Sequence, residues 1–169
     1  MKKSLITGLV LAFFAVVCGA LLALVNSFTS PVIKAHEEEK VQKSIQVVYE
    51  AFNADEYKTE EFKRDGAINA YYVINLASNE KVAVIYIVES QGYASKIRMM
   101  IGVDKDYKIT GYTVISQAET KGDITSHDFN MKSKDNLDSF DALAGSTYSS
   151  KAVKKNFSLA LSLAKEDLV

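Results

Sequence analysis

Cysteine is almost absent from this chain: Cys18 is the sole one in 169 residues. That excludes a disulfide framework and a thiolate metal cluster. Histidine is nearly as scarce, with only His36 and His127. No second histidine stands at ligand spacing from His36, so His36-Glu37-Glu38-Glu39-Lys40 reads as a solvated turn and not a metal site. Nor is there a Ser/His/Asp or Cys/His arrangement to suggest hydrolysis. Neither sign of charge dominates, with 20 basic against 21 acidic residues, so no nucleic-acid footprint is present. A glycine-rich Rossmann turn, a P-loop and βαβ alternation are all missing, which disfavours a classical nucleotide fold. There is no internal repeat and no low-complexity segment.

What is there begins with an apolar run. The first 27 residues carry only Lys2 and Lys3 as charges, and Leu5 to Val25 is an uncharged stretch of 21 residues. As a helix it would span about 32 Å, against a bilayer hydrocarbon core of roughly 30 Å. A cleaved signal peptide has a shorter apolar region followed by a small-x-small site, and Asn26-Ser27-Phe28-Thr29-Ser30-Pro31 supplies none. Val17 before Cys18 also argues against a lipoprotein. Residues 1–30 are therefore expected to be a retained single-pass anchor in the cell membrane. Lys2 and Lys3 would hold the N-terminus in the cytoplasm and send the rest to the extracytoplasmic side. Cys18 reads as a small packing residue, and Gly8, Gly19 and Ala20 offer surfaces for a neighbouring membrane helix.

Residues 31–66 read as a juxtamembrane helical and irregular segment. Val41, Ile45, Val48 and Phe52 recur at helical intervals, and Asn53 to Gly66 is polar and irregular. Residues 67–169 then form the main domain. Strands are expected over Ala70–Leu76, Lys81–Val88, Lys96–Val103 and Lys108–Ser116, with Asp104-Lys105-Asp106-Tyr107 as a hairpin turn. Ser149 to Leu168 predicts a closing helix with Val153, Phe157, Ala160, Leu161, Ala164 and Leu168 on one face. The fold class is α+β, an antiparallel sheet packed with helices.

Three segments can carry chemistry. In Gln91-Gly92-Tyr93-Ala94-Ser95-Lys96, either Gly92 supplies a positive φ to a plain turn, or it lets a ligand approach while Tyr93 packs against it. Gln117-Ala118-Glu119-Thr120-Lys121-Gly122-Asp123 is either a polar surface loop or a loop that sets Thr120 at the polar edge of a flat ring. Asp141-Ala142-Leu143-Ala144-Gly145-Ser146-Thr147-Tyr148-Ser149-Ser150 opens the last helix. Its hydroxyls can cap that helix, bind a phosphate at the free amides, or be esterified by one. By itself the segment favours the cap.

In their order these segments resemble the FMN-binding domain of RnfG, the G component of the Rnf electron-transport complex, although the link from the Glu119 loop to the last motif is short for that family. The C component of the Na⁺-translocating NADH:quinone reductase shares that domain. The family has one N-terminal membrane helix, a Gly-Tyr-Gly-like loop, a strand pair and a Glu-Thr-Pro-Gly loop. An Asp-x-x-Ser-Gly-Ala-Thr-x-Thr/Ser motif then enters the final helix. Here the counterparts are Gly92-Tyr93-Ala94, Ile101-Gly102-Val103-Asp104 with Ile109-Thr110-Gly111-Tyr112, Glu119-Thr120-Lys121-Gly122, and Asp141 to Ser149. Ala144 and Ser146 exchange the motif's serine and alanine, Ala94 replaces the second glycine, and Lys121 replaces the proline.

The resemblance implies covalent FMN, joined through its phosphate to Thr147 by a flavin transferase that uses FAD and Mg²⁺. Asp141 would matter to that transferase. Gly145, Ser146 and Ser149 would belong to the cofactor-binding residues with Gly92, Tyr93 and Thr120, the ring folding over the Gly92 and Thr120 loops. It also implies an electron-transfer component, not a complete enzyme, that relays electrons through FMN within an ion-translocating ferredoxin:NAD⁺ oxidoreductase. Its partners would be the other membrane subunits. Two alternatives stay open: a flavinylated carrier for quinone reduction or extracellular electron transfer, and a flavin-free membrane-anchored scaffold module.

Overall fold

The computed structural model describes the backbone of residues 2–120 and 123–168, and their side chains except those of 2–7, 9, 10, 28 and 30–42. The chain divides into two compact units, Met1–Gln42 and Lys43–Val169. Helix α1 runs Lys2–Val48. In the first unit its described side chains, Gly8, Leu11 to Ser27 and Thr29, are all exposed, including Leu11, Phe13, Phe14, Leu21, Leu22 and Leu24. Among the described residues no helix is long and apolar enough to cross a membrane. The expected span from Leu5 to Val25 lies partly outside the described side chains, as do Val41 and those of His36 to Lys40.

The second unit is built on a five-stranded antiparallel meander in the order β1 (Tyr57–Phe62), β2 (Asn69–Asn75), β3 (Lys81–Gln91), β4 (Lys96–Asp104) and β5 (Ile109–Ser116). The four expected strands are present within a few residues of their expected ends. β1 is an addition: the stretch expected to be irregular supplies an edge strand, Tyr57-Lys58-Thr59-Glu60-Glu61-Phe62, paired to β2 from Tyr57↔Asn75 to Phe62↔Ala70. The turns follow from side-chain chemistry. Asn75 Oδ1 accepts the amides of Ala77 (2.9 Å) and Ser78 (3.0 Å), and Asp104 Oδ1 accepts those of Asp106 and Lys108, both at 2.9 Å. These Asx-type bonds take over amides that no strand partner reaches.

One face of the sheet packs against helix α2 (Thr147–Asp167). Val84, Tyr86 and Val88 of β3 and Ile97, Met99, Ile101 and Val103 of β4 alternate inward with the strand period of two. Val153, Phe157, Ala160, Leu161 and Ala164 meet them from the helix at intervals of three and four. Each fully buried aliphatic side chain here contributes about 1.5–3 kcal/mol. The connection from β5 to α2 is not a surface loop throughout, because Ile124, Phe129 and Met131 are fully buried. Phe129 stacks on Phe140 at 5.5 Å, Tyr112 meets Phe157 edge-on at 4.9 Å, and the Tyr112 hydroxyl donates to Asp128 Oδ1 (2.7 Å) while accepting the Phe129 amide (2.9 Å).

On the other face Ile45 and Val48 of α1 are fully buried, with Val73, Ala83, Ile85 and Met100. The helix end fits because Gly102 and Gly111, opposite each other in the β4–β5 register, leave room for it. Thr110 Oγ1 donates to the Val48 carbonyl at 2.8 Å, satisfying one of the acceptors that a helix C-terminus leaves open. Thr110→Val removes that bond without changing the side chain's shape. It is expected to cost about 1 kcal/mol in chemical denaturation.

Candidate functional site

Where α2 begins, three chain segments converge on one carboxylate. Glu119, just beyond β5, accepts the backbone amide of Tyr93 on Oε2 (3.0 Å) and those of Ala94 (3.1 Å) and Ser95 (2.9 Å) on Oε1. The Ser95 hydroxyl reaches Oε1 at 3.3 Å, and the Ser149 hydroxyl donates to Oε2. Burial by itself pushes this carboxyl up. The Ser149 hydroxyl and the amides of Ser95, Tyr93 and Ala94 outweigh it and hold the group below the ordinary glutamate value. Its negative charge lies against the first turn of α2, where the helix dipole favours an anion.

Gly92 does not supply the positive φ of a plain turn; its backbone is approached by a side chain of the protein itself. Among the described residues the glycines with positive φ are Gly66 and Gly145, and Gly92 is not one of them. A Cβ there would stand 2.7 Å from Glu119 Oε1 and 2.9 Å from Ile97 Cδ1, so glycine is needed for the carboxylate to approach the loop.

Glu119 also forms one wall of a cavity of about 280 Å³, lined besides by Tyr93, Gly145, Ser146, Thr147, Tyr148 and Ser149. Gly145 turns the chain into α2 with φ +77 and nothing near its Cβ position. Ser146 occupies the N-cap position, φ −122 and ψ 49, with no side-chain capping bond. Ser149 is committed to Glu119, and the Ser150 hydroxyl accepts the Leu143 amide at 3.1 Å. The expected cap by Ser149 or Thr147 is therefore not formed. Ser146 is buried and Thr147 is exposed, so of these two hydroxyls it is Thr147 that a large reagent can reach. The open amides of the first turn suit a phosphate, and the rings of Tyr93 and Tyr148 stand 6.1 Å apart beside them.

Three expected site residues, Gly92, Asp141 and Thr120, are not in the cavity lining. Asp141 is exposed; its amide donates to the Phe129 carbonyl (3.0 Å) and its own carbonyl meets His127 Nε2 (3.1 Å). Thr120 is exposed next to Lys121 and Gly122, which lie outside the described residues. Glu119 heads a loop that the sequence singles out, but the sequence gives it no role of its own. Its partners are 24 to 30 positions away, so only the fold shows that it gathers the amides of the Tyr93 loop.

Known proteins match this arrangement in order. Residues 92–162 fit the model of the FMN-binding domain, and residues 1–48 fit that of the RnfG N-terminal region. In Aliivibrio fischeri, the G subunit of an ion-translocating oxidoreductase complex is 29% identical over 133 residues, covering 72% of this chain and 60% of its own length. The protein of the same name from Shewanella amazonensis is 29% identical over 133 residues, with 72% and 61% covered. In Clostridium ljungdahlii, the G subunit of the proton-translocating ferredoxin:NAD(+) oxidoreductase complex is 24% identical over 155 residues, covering 82% of this chain and 80% of the relative. The chain thus spans about 60% of the length of the Aliivibrio and Shewanella relatives. The FMN-binding match starts at Gly92 and runs into α2, enclosing the cavity between its ends, while the N-terminal match lies on α1. This chain therefore carries an FMN-binding domain behind an N-terminal region that matches that of RnfG.

Proposed function

We propose that this chain is a membrane-anchored flavoprotein that carries electrons on FMN esterified to Thr147, within an ion-translocating ferredoxin:NAD⁺ oxidoreductase complex. The observation that carries the reading is Thr147 itself: an exposed hydroxyl in the first turn of an uncapped helix, at the mouth of a cavity with two tyrosines. Thr147 Oγ would displace AMP from FAD at the FMN phosphorus in the flavin transferase, its proton passing to that enzyme's base. The resulting phosphodiester would lie among the amides that follow Ser146, where the helix dipole offsets its charge. FMN supplies the redox chemistry when bound. The chain supplies position: Glu119 fixes the Tyr93 loop to α2, Gly145 leaves the approach open, and the exposed Asp141 remains accessible to the transferase.

The names of the relatives support a place in a multi-subunit complex, with other membrane subunits as partners. The uncharged run from Leu5 to Val25 supports the anchor. Lys2 and Lys3 support a cytoplasmic N-terminus with the domain on the extracytoplasmic side.

Co-expression of the full chain with a flavin transferase, followed by a denaturing gel, is expected to give a fluorescent band. Thr147→Ala should abolish it, while Ser146→Ala should retain it. A dark band from the unaltered chain favours the flavin-free scaffold. Fluorescence surviving Thr147→Ala refutes the acceptor. Purification without integral membrane subunits would point instead to a free-standing carrier.

A further inference from the structure

We propose that Tyr148 and Tyr93 form the two sides of a notch that brackets the flavin ring tethered at Thr147; this rests on the reading above. Both rings line the same cavity, yet Tyr93 is 67% and Tyr148 68% exposed. Tyrosine ordinarily buries most of its ring. These two do not satisfy each other: their centroids are 6.1 Å apart at an interplanar angle of 47°, neither stacked nor edge-on, so the pair is splayed open. A flat ring between two others needs about 7 Å from centroid to centroid, twice an optimal carbon contact. The pair is close to that spacing, and exposed side chains can turn to complete it.

The supports of both rings are better fixed than the rings. The Tyr93 amide donates to Glu119 Oε2, and Ser149, the neighbour of Tyr148, donates to the same oxygen. One carboxylate therefore sets the distance between the two Cα positions. Tyr148 also directly follows Thr147, so a ring on the flexible phosphoribityl arm meets it at the high effective concentration of a short tether. The sequence alone points only to Tyr93. Tyr148 is the added residue, and its place in the first turn of α2 keeps it beside the ester.

Flavin emission reads this out independently of electron transport. A tyrosine in contact quenches the excited ring by lending it an electron and taking it back, with no net change. On the flavinylated full chain in detergent, Tyr148→Ala should raise the ratio of bright to quenched lifetimes by about two- to tenfold, the range of one aromatic contact. It should also weaken the visible circular dichroism of the ring. Tyr148→Phe should keep the dichroism, because the stacking face remains, while losing part of the quenching. Tyr93→Ala leaves the acceptor segment untouched and should match Tyr148→Ala, covering a variant that the transferase handles poorly.

Flavin attached normally to both alanine variants, with lifetimes and dichroism unchanged, overturns the notch and leaves the Thr147 ester standing. An unaltered chain that takes up no covalent flavin overturns both.

Discussion

Replacing Gly111 by alanine is expected to destabilise the Lys43–Val169 unit by about 3 kcal/mol, the upper end for overpacking a tight interior. For a chain of this size that lowers Tm by roughly 10 °C. The added Cβ would stand 2.6 Å from the Val48 carbonyl oxygen and 3.1 Å from that of Val47. Both are backbone atoms at the end of α1 and cannot rotate aside. Gly111 lies opposite Gly102, where a Cβ would come within 2.8 Å of Val48 Cγ1. The end of α1 is thus seated on two adjacent positions of the sheet that both lack a side chain. Moving the helix end outward would also break the bond from Thr110 Oγ1 to the Val48 carbonyl. Gly145→Ala is the contrasting case: its Cβ meets open space, and only the positive φ of 77 resists it, at about 1 kcal/mol. Thermal unfolding of the full chain in detergent, followed by circular dichroism, should rank Gly111→Ala well below Gly145→Ala. The reverse order would show that α1 does not need the bare sheet surface.

That helix seat also marks where the sequence stops being readable. The strands from Ala70 to Ser116 are legible because apolar side chains alternate against a buried face, and α2 because its apolar positions recur every three or four residues. β1 is not, since an edge strand half in solvent can be as polar as Tyr57-Lys58-Thr59-Glu60-Glu61-Phe62. Phe129 and Phe140 pack through an irregular connection with no period to betray them. Gly102 and Gly111 stand inside a recognisable strand pair, but their purpose is to admit the distant end of α1, which no local pattern encodes. The site divides in the same way. Gly92, Tyr93, Ser146, Thr147 and Ser149 are legible as loop and helix-start chemistry. Glu119 is legible as a member of its loop but not in its role, because a carboxylate that gathers distant amides looks like any polar loop residue until the chain is folded.

Glu119→Ala is accordingly the second large effect: about 2 kcal/mol at neutral pH, within the range of hydrogen bonds to a charged group. That figure counts one ionic acceptor lost from three amides and the Ser149 hydroxyl, reduced because solvent reaches part of the loop once it loosens. The dependence on pH has a definite sign. The folded carboxyl titrates below its ordinary value, so its contribution is fully present above that value. It is lost as pH falls through the lower folded value, because protonation must then remove the acceptor from its donors. Unfolding curves of the unaltered chain and Glu119→Ala should therefore be well separated at pH 7 and converge in acid. Glu119→Gln should fall near alanine, since its amide nitrogen would turn a donor toward donors. The damage should also reach function: with its anchor gone the Tyr93 loop can swing, so a flavin ester at Thr147 should persist but emit more brightly. A separation between the variants that persists unchanged into acid would mean that the carboxylate charge is not what joins the loop to the helix.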